Sequence, residues 1–137
     1  MVGYNTFEVI IIKKFCILLA FVLVFYFTLP ANAENQEVLL LASAVEAVTG
    51  GESYTVMLAV SSVFLNRLCD EAYPSSLAAI ISDAGIDLSA VEVSQRAIHA
   101  ARDALGGFDP TGGALHYSHD AKEISEILLG IDSWSFY

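Results

Sequence analysis

The stretch AVEAVTGGESYTVMLAVSSVFLNRL, residues 44 to 68, decides how this chain folds. Upstream of and into it, Leu40, Leu41, Ala44, Val45 and Val48 recur at three- and four-residue intervals, which predicts an amphipathic helix over 37–48. Gly50 and Gly51 then end it, because glycine adopts the left-handed backbone that closes a helix without steric cost. Val56, Met57, Val60, Val63, Phe64 and Leu68 carry the same period onward, so a longer helix begins near Ser53 and stops before Pro74. Two helices with apolar faces must bury them against further elements.

Those elements follow downstream. Ser75 and Ser76 can cap a short helix over 77–82, and 83–92, with Gly85 and mixed polarity, reads as a loop. Val93, Ala97, Ala101 and Ala104 with Leu105 line one face of a helix over 93–105, terminated by Gly106 and Gly107. Its small alanines let another helix approach closely. FDPTGG at 108–113 is turn chemistry, 114–118 reads as a short strand, 121–129 as a short helix and 133–137 as a final extended segment. The expected class is mostly helical α+β with a minor strand element.

The beginning of the chain has a different logic. Lys13 and Lys14 precede an apolar run from Phe15 to Leu29, followed by Pro30, Ala31, Asn32 and Ala33, the order of an export signal. The run is shorter than the roughly 20 apolar residues that span a bilayer, so residues 1–33 are expected to be a signal peptide cleaved after Ala33, with retention as an N-terminal membrane anchor as the other reading. Residues 34–137 then form a single domain, secreted or held in the cell envelope. The hydrophobic fraction of 55% and the mean hydropathy of +0.59 are raised by the leader.

Charge narrows the partners. The whole chain carries −10; setting aside Glu8, Lys13 and Lys14 leaves 15 acidic against 4 basic residues, a net −11, which argues against nucleic acid and anionic lipid. A glycan or peptide ligand is compatible. Of the two cysteines, Cys16 lies in the leader, and Cys69 falls on an apolar helical pattern and is expected to pack as a small buried thiol. His99, His116 and His119 lack the spacing of a metal site, so neither metal nor other cofactor is expected.

Glu46 stands one turn before the end of the first helix, where its charge opposes the negative end of the helix dipole. A general acid works in its protonated form, and apolar surroundings with a helix C-terminus favour that form. A solvated surface glutamate is the plain alternative on position alone.

Three blocks read together resolve this further. Residues 44–68, AARDALGGFDPTGGALHY at 100–117, and the terminal Phe136-Tyr137 occur in the order and at the distances that resemble the cell-wall hydrolase family of the spore-cortex-lytic enzymes. The resemblance implies a lysozyme-like single domain that cleaves peptidoglycan glycan strands after N-acetylmuramic acid by lytic transglycosylation, as a monomer. It implies one catalytic carboxyl, at Glu46. Glu52 matches the family's second glutamate, either orienting substrate or stabilising the start of the next helix. Tyr54, His116 and Tyr117 are candidate aromatic walls for sugar rings, or core aromatics. Asn66, Arg67, Arg102 and Asp103 lie inside helices and are read as an internal network of buried hydrogen bonds and an ion pair.

The chain also departs from the family. The segment 81–94 is short and lacks the Gln-Phe-Ser element that borders the groove, and Trp134 replaces a histidine near the end, where its ring could stack on a sugar. A catalytically weak or inactive relative that binds peptidoglycan or a partner hydrolase is therefore the second reading. If water were the nucleophile, Asp87 and Asp109 would be the candidate second carboxylates.

Overall fold

The structure is a computed structural model, and it describes Lys14, Ile17, residues 30–120 and residues 126–137. The chain divides into two units at Asn35, and the second, Gln36–Tyr137, holds the core and the candidate site. Among the described residues, the helices α1 (Pro30–Thr49), α2 (Tyr54–Leu68), α3 (Leu77–Asp83) and α4 (Gln95–Leu105) precede the short strands β1 (Tyr117–His119), β2 (Leu129–Ile131) and β3 (Trp134–Phe136). This is the mostly helical α+β class with a minor strand component that the periodicities predict. Among the described residues, no helix is long and apolar enough to cross a membrane.

The helix starts follow from side-chain chemistry. Ser53, Ser76 and Ser94 are extended residues whose hydroxyls accept the N–H groups of Val56, Ala79 and Ala97, each satisfying an amide that has no partner within its helix. α4 accordingly begins at Gln95, two residues after the apolar pattern starts, since Ser94 claims the cap. α1 begins at Pro30 instead of near residue 37, with proline tolerated in the first turn because no amide is needed there.

α2 runs through the centre of the core. Val56, Met57, Val60, Val63 and Phe64 are fully buried in one cluster with Leu41 and Val45 of α1, Ile80 of α3 and Phe136 of β3. Each such side chain contributes about 2 kcal/mol by leaving water. Ala97, Ala100, Ala101 and Ala104 are all buried, so the alanine face of α4 packs into this core as expected. Ser61 and Ser62 are buried on α2 and return their hydroxyls to the carbonyls of Met57 and Leu58, at 2.8 and 2.9 Å.

The sheet is antiparallel throughout in the order β1-β3-β2, pairing Tyr117 and Leu129 each with Phe136. Asp132 and Ser133 join β2 to β3, and Asp132 takes φ 51°, a left-handed conformation that Asp tolerates in a tight hairpin. Pairing continues beyond β1, where Leu115 and His116 donate to the Tyr137 carbonyl, so regular strand begins at Tyr117 and not at 114. The helix expected over 121–129 is not borne out at its end: 126–128 are not helical and Leu129 opens β2, while 121–125 lie outside the described residues. Leu129 and Ile131 serve the sheet instead, and that outcome is decided by pairing with β3 and not by the local period.

Candidate active site

Glu46 occupies the last turn of α1, where its carbonyl accepts the Gly50 amide at 2.9 Å. Gly50 and Gly51 follow at φ +59° and +89°, which turn the chain back into α2 beside the half-buried Glu46 carboxyl. Its two oxygens are in different situations. Oε2 accepts the Ser94 hydroxyl at 2.6 Å and the Ser94 amide at 3.2 Å. Oε1 lies near Gly51, 3.9 Å from where a methyl group on that residue would stand, and accepts no hydrogen bond among the described residues. Arg96, at the start of α4, donates to the carbonyls of Gly51 and Glu52 at 3.2 and 3.0 Å and ties the double-glycine turn to the same helix. A fixed carboxyl with one bonded oxygen and one oxygen without a hydrogen-bond partner among the described residues can give and take a proton at a bound substrate.

Glu52 is half-buried and directly precedes the Ser53 cap, so it is Ser53 whose side chain satisfies an opening amide of α2. Tyr54 is exposed and donates its hydroxyl to the Asp103 carboxylate. That bond holds the Tyr54 hydroxyl above its ordinary range, with smaller contributions from desolvation and the negative charge of Asp103. Tyr54, Arg102, Asp103, Gly106 and Phe108 line a cavity of about 300 Å³, with the Phe108 ring 63% exposed beside it. Arg102 and Asp103 therefore do not form the buried ion pair expected of them. Both lie on the solvent side of α4, opposite its alanine face.

His116 and Tyr117 join a group of aromatic rings. Tyr117 packs on Phe64 and Trp134, and His116 stacks on Tyr137 with centroids 5.3 Å apart. The Arg67 guanidinium stands over the rings of Phe64, Tyr73 and Tyr117, at 5.3 to 5.9 Å, and donates to the Leu115 carbonyl at 2.7 Å. Burial pushes the Tyr117 hydroxyl up, with the Arg67 charge opposing it. Tyr54 and Arg67 stand at opposite ends of α2, about 20 Å apart along the helix. Trp134 is 6% exposed and wedged among Tyr117, His119 and Phe136, so its ring faces are not offered to a sugar. Cys69 is exposed, just past the end of α2, where the apolar period no longer follows a helix face.

The FDPTGG turn is organised from within. Asp109 accepts the Thr111 amide at 2.7 Å, the Thr111 hydroxyl at 2.6 Å and the Gly113 amide at 2.9 Å. Asn66 reaches across from α2 to Asp109, Thr111 and the Ala114 carbonyl, which makes Asn66 and Arg67 the internal network expected of them. Burial raises the Asp109 carboxyl, but the bonds from Thr111, Asn66 and Gly113 outweigh it and hold the group below the usual carboxylate range. Asp87 lies on an exposed loop and is likewise lowered by hydrogen bonds from Ser89. Neither candidate for a second carboxylate is left free of such bonds.

Ser94 and Arg96 join the candidate site, and sequence reasoning missed them. A serine before Gln-Arg-Ala is legible as a helix cap. Its hydroxyl also meets a carboxylate 48 positions upstream, which no local pattern encodes.

Known proteins similar to this chain share a cell-wall function by name. The profile of a family described as Cell Wall Hydrolase matches residues 51–135, a stretch that contains Glu52 and Ser94 and opens just after Glu46 and Gly50. The chain is similar to the spore cortex-lytic enzyme of Halalkalibacterium halodurans, 34% identical over 97 residues that cover 64% of this chain and 28% of that protein. It is also similar to that of Bacillus subtilis, 33% identical over 111 residues covering 74% and 35%. The chain thus spans about a third of the length of these curated relatives. Among solved structures, the catalytic domain of the Bacillus cereus SleB protein aligns with a TM-score of 0.62 at 27% identity, over 74% of this chain and 89% of that one. The catalytic domain of a germination-specific lytic transglycosylase, SleB from Bacillus anthracis, aligns at 0.60 and 28%, over 73% and 92%.

Proposed function

The chain belongs to the Cell Wall Hydrolase family, and on that footing we propose that it cleaves the glycan strands of peptidoglycan by lytic transglycosylation, with Glu46 as both acid and base. The observation that carries this reading is the Glu46 carboxyl itself, held through one oxygen by Ser94 and without a hydrogen bond at the other, which lies beside Gly51. Protonated at Oε1, Glu46 donates to the glycosidic oxygen as the bond to the muramic acid C1 breaks. The resulting carboxylate removes the proton from that sugar's own 6-hydroxyl, and O6 closes on C1 as a 1,6-anhydro ring. Atoms balance without water, so no second carboxylate is required to activate it. The engagement of Asp87 and Asp109 within their own turns supports this route over hydrolysis. Structural similarity to the Bacillus anthracis lytic transglycosylase domain supports it as well.

Glu52 and Tyr54 belong with Glu46 as substrate-contacting residues, because both stand at the N-terminal end of α2, directly after the double-glycine turn. The wall lies outside the cytoplasm, which agrees with residues 1–33 acting as an export signal. Purified protein incubated with peptidoglycan should release muropeptides ending in 1,6-anhydromuramic acid, one water lighter than hydrolytic products by mass spectrometry. Products with ordinary reducing ends would overturn the transglycosylation. Binding without any release would favour the second reading, a peptidoglycan-binding relative with little or no activity.

A further inference from the structure

The two oxygens of Glu46 are not equivalent, and the first turn of α4 is the reason. The Ser94 hydroxyl has one proton and gives it to Glu46 Oε2 at 2.6 Å, while the serine oxygen accepts the Ala97 amide at 3.1 Å. The Ser94 amide adds a second bond to Oε2 at 3.2 Å. Oε2 is thus an acceptor for two donors, and a proton could sit there only by turning the serine hydroxyl away. Oε1 lies near Gly51 and has no hydrogen-bond partner among the described residues.

Resting on the reading of Glu46 as the acid and base, we propose that Ser94 is a positioning residue that fixes Oε2 as a standing acceptor and so assigns proton transfer to Oε1. The helix cap and the site are then one device. The residue that starts α4 also sets the rotamer of the Glu46 carboxyl, and Arg96 holds the turn on which Oε1 looks out. Proton transfer depends steeply on placement, since errors near 1 Å cost about a hundredfold in rate.

Capping and positioning can be separated by substitution. Glycine is nearly as good a helix cap as serine, but has no hydroxyl, whereas threonine keeps one. Ser94→Gly should lower kcat about ten- to a hundredfold with KM little changed and the melting temperature close to that of the parent. Ser94→Thr should restore kcat. Crystal structures should show the Glu46 carboxyl in one orientation in the parent and in more than one in Ser94→Gly. A wild-type kcat in Ser94→Gly, or an unmoved carboxyl in its crystal structure, would overturn the positioning role. The structural readout does not depend on turnover. If Glu46→Gln remains active the catalytic reading fails, whereas an inactive Glu46→Gln with a fully active Ser94→Gly sinks the Ser94 proposal alone.

Discussion

Replacing Glu46 by glutamine changes one oxygen to an amide nitrogen and leaves the shape of the side chain intact. The surroundings dictate how the amide must sit. Both Ser94 donors need an acceptor at the Oε2 position, so the carbonyl oxygen goes there and the NH2 group takes the place of Oε1 beside Gly51. The fold keeps its two hydrogen bonds but loses their charge assistance, a cost of about 1 kcal/mol. For a domain of this size that lowers the melting temperature by about 4–8 °C. Catalysis loses much more, because the NH2 group can neither deliver nor accept the proton; general acid–base transfer is worth about two to four orders of magnitude in rate. At about 1.4 kcal/mol per decade this is about 3–5 kcal/mol of barrier, well above the stability change. The assay follows release of anhydro-muropeptides by mass spectrometry, with melting curves recorded on the same preparations. Glu52→Gln, measured beside it, should lose less, since Glu52 is assigned to substrate contact. Wild-type rates in Glu46→Gln, or a larger loss in Glu52→Gln, would refute the assignment and move the acid to Glu52.

Further outcomes can be checked separately. Gly51→Ala forces a Cβ into φ +89° and places a methyl 3.9 Å from Glu46 Oε1, so it should cost about 1–2 kcal/mol of stability and also reduce kcat; thermal melting and product release measure the two separately. Asp109→Ala removes the acceptor for two amides, a hydroxyl and Asn66, and should destabilise by about 1–3 kcal/mol in chemical denaturation with little change in KM. Because the folded Asp109 carboxyl is lowered, its contribution is present above the unfolded value near pH 4 and is lost as pH falls through the folded value; the parent should lose stability in that acid range more steeply than Asp109→Ala. In its own bacterium the protein should be found outside the cytoplasm with a new N-terminus near Glu34, read by N-terminal sequencing; intact chain in the cytosol would contradict export.

Much of the fold was legible because its signals are local. The periods of α2 and α4, the serine at 76, and the glycines at 50 and 51 each act within one or two turns of chain, so residue order alone predicts them, whereas the cap at Ser94 moved the start of α4 two residues beyond the apolar pattern. Readings failed where the deciding partner is remote. Leu129 follows a helical pattern yet pairs with Phe136; Cys69 extends an apolar period past the point where α2 stops; Trp134 reads as a possible platform but is enclosed by Tyr117, His119 and Phe136.

The candidate site divides in the same way. Residue order by itself determined that a glutamate ends the first helix before a double glycine, and that Asn66 and Arg67 lie inside the second helix, because capping and periodicity are short-range. Only the tertiary structure decided that Ser94 grips one oxygen of Glu46, that Arg96 ties down the turn, that Arg102 and Asp103 face solvent, and that His116 and Tyr117 gather at the far end of α2. Those placements depend on how closely the alanine face of α4 can approach α2. Close packing fixes that approach, and contacts between segments some 45 positions apart exist only once it is made.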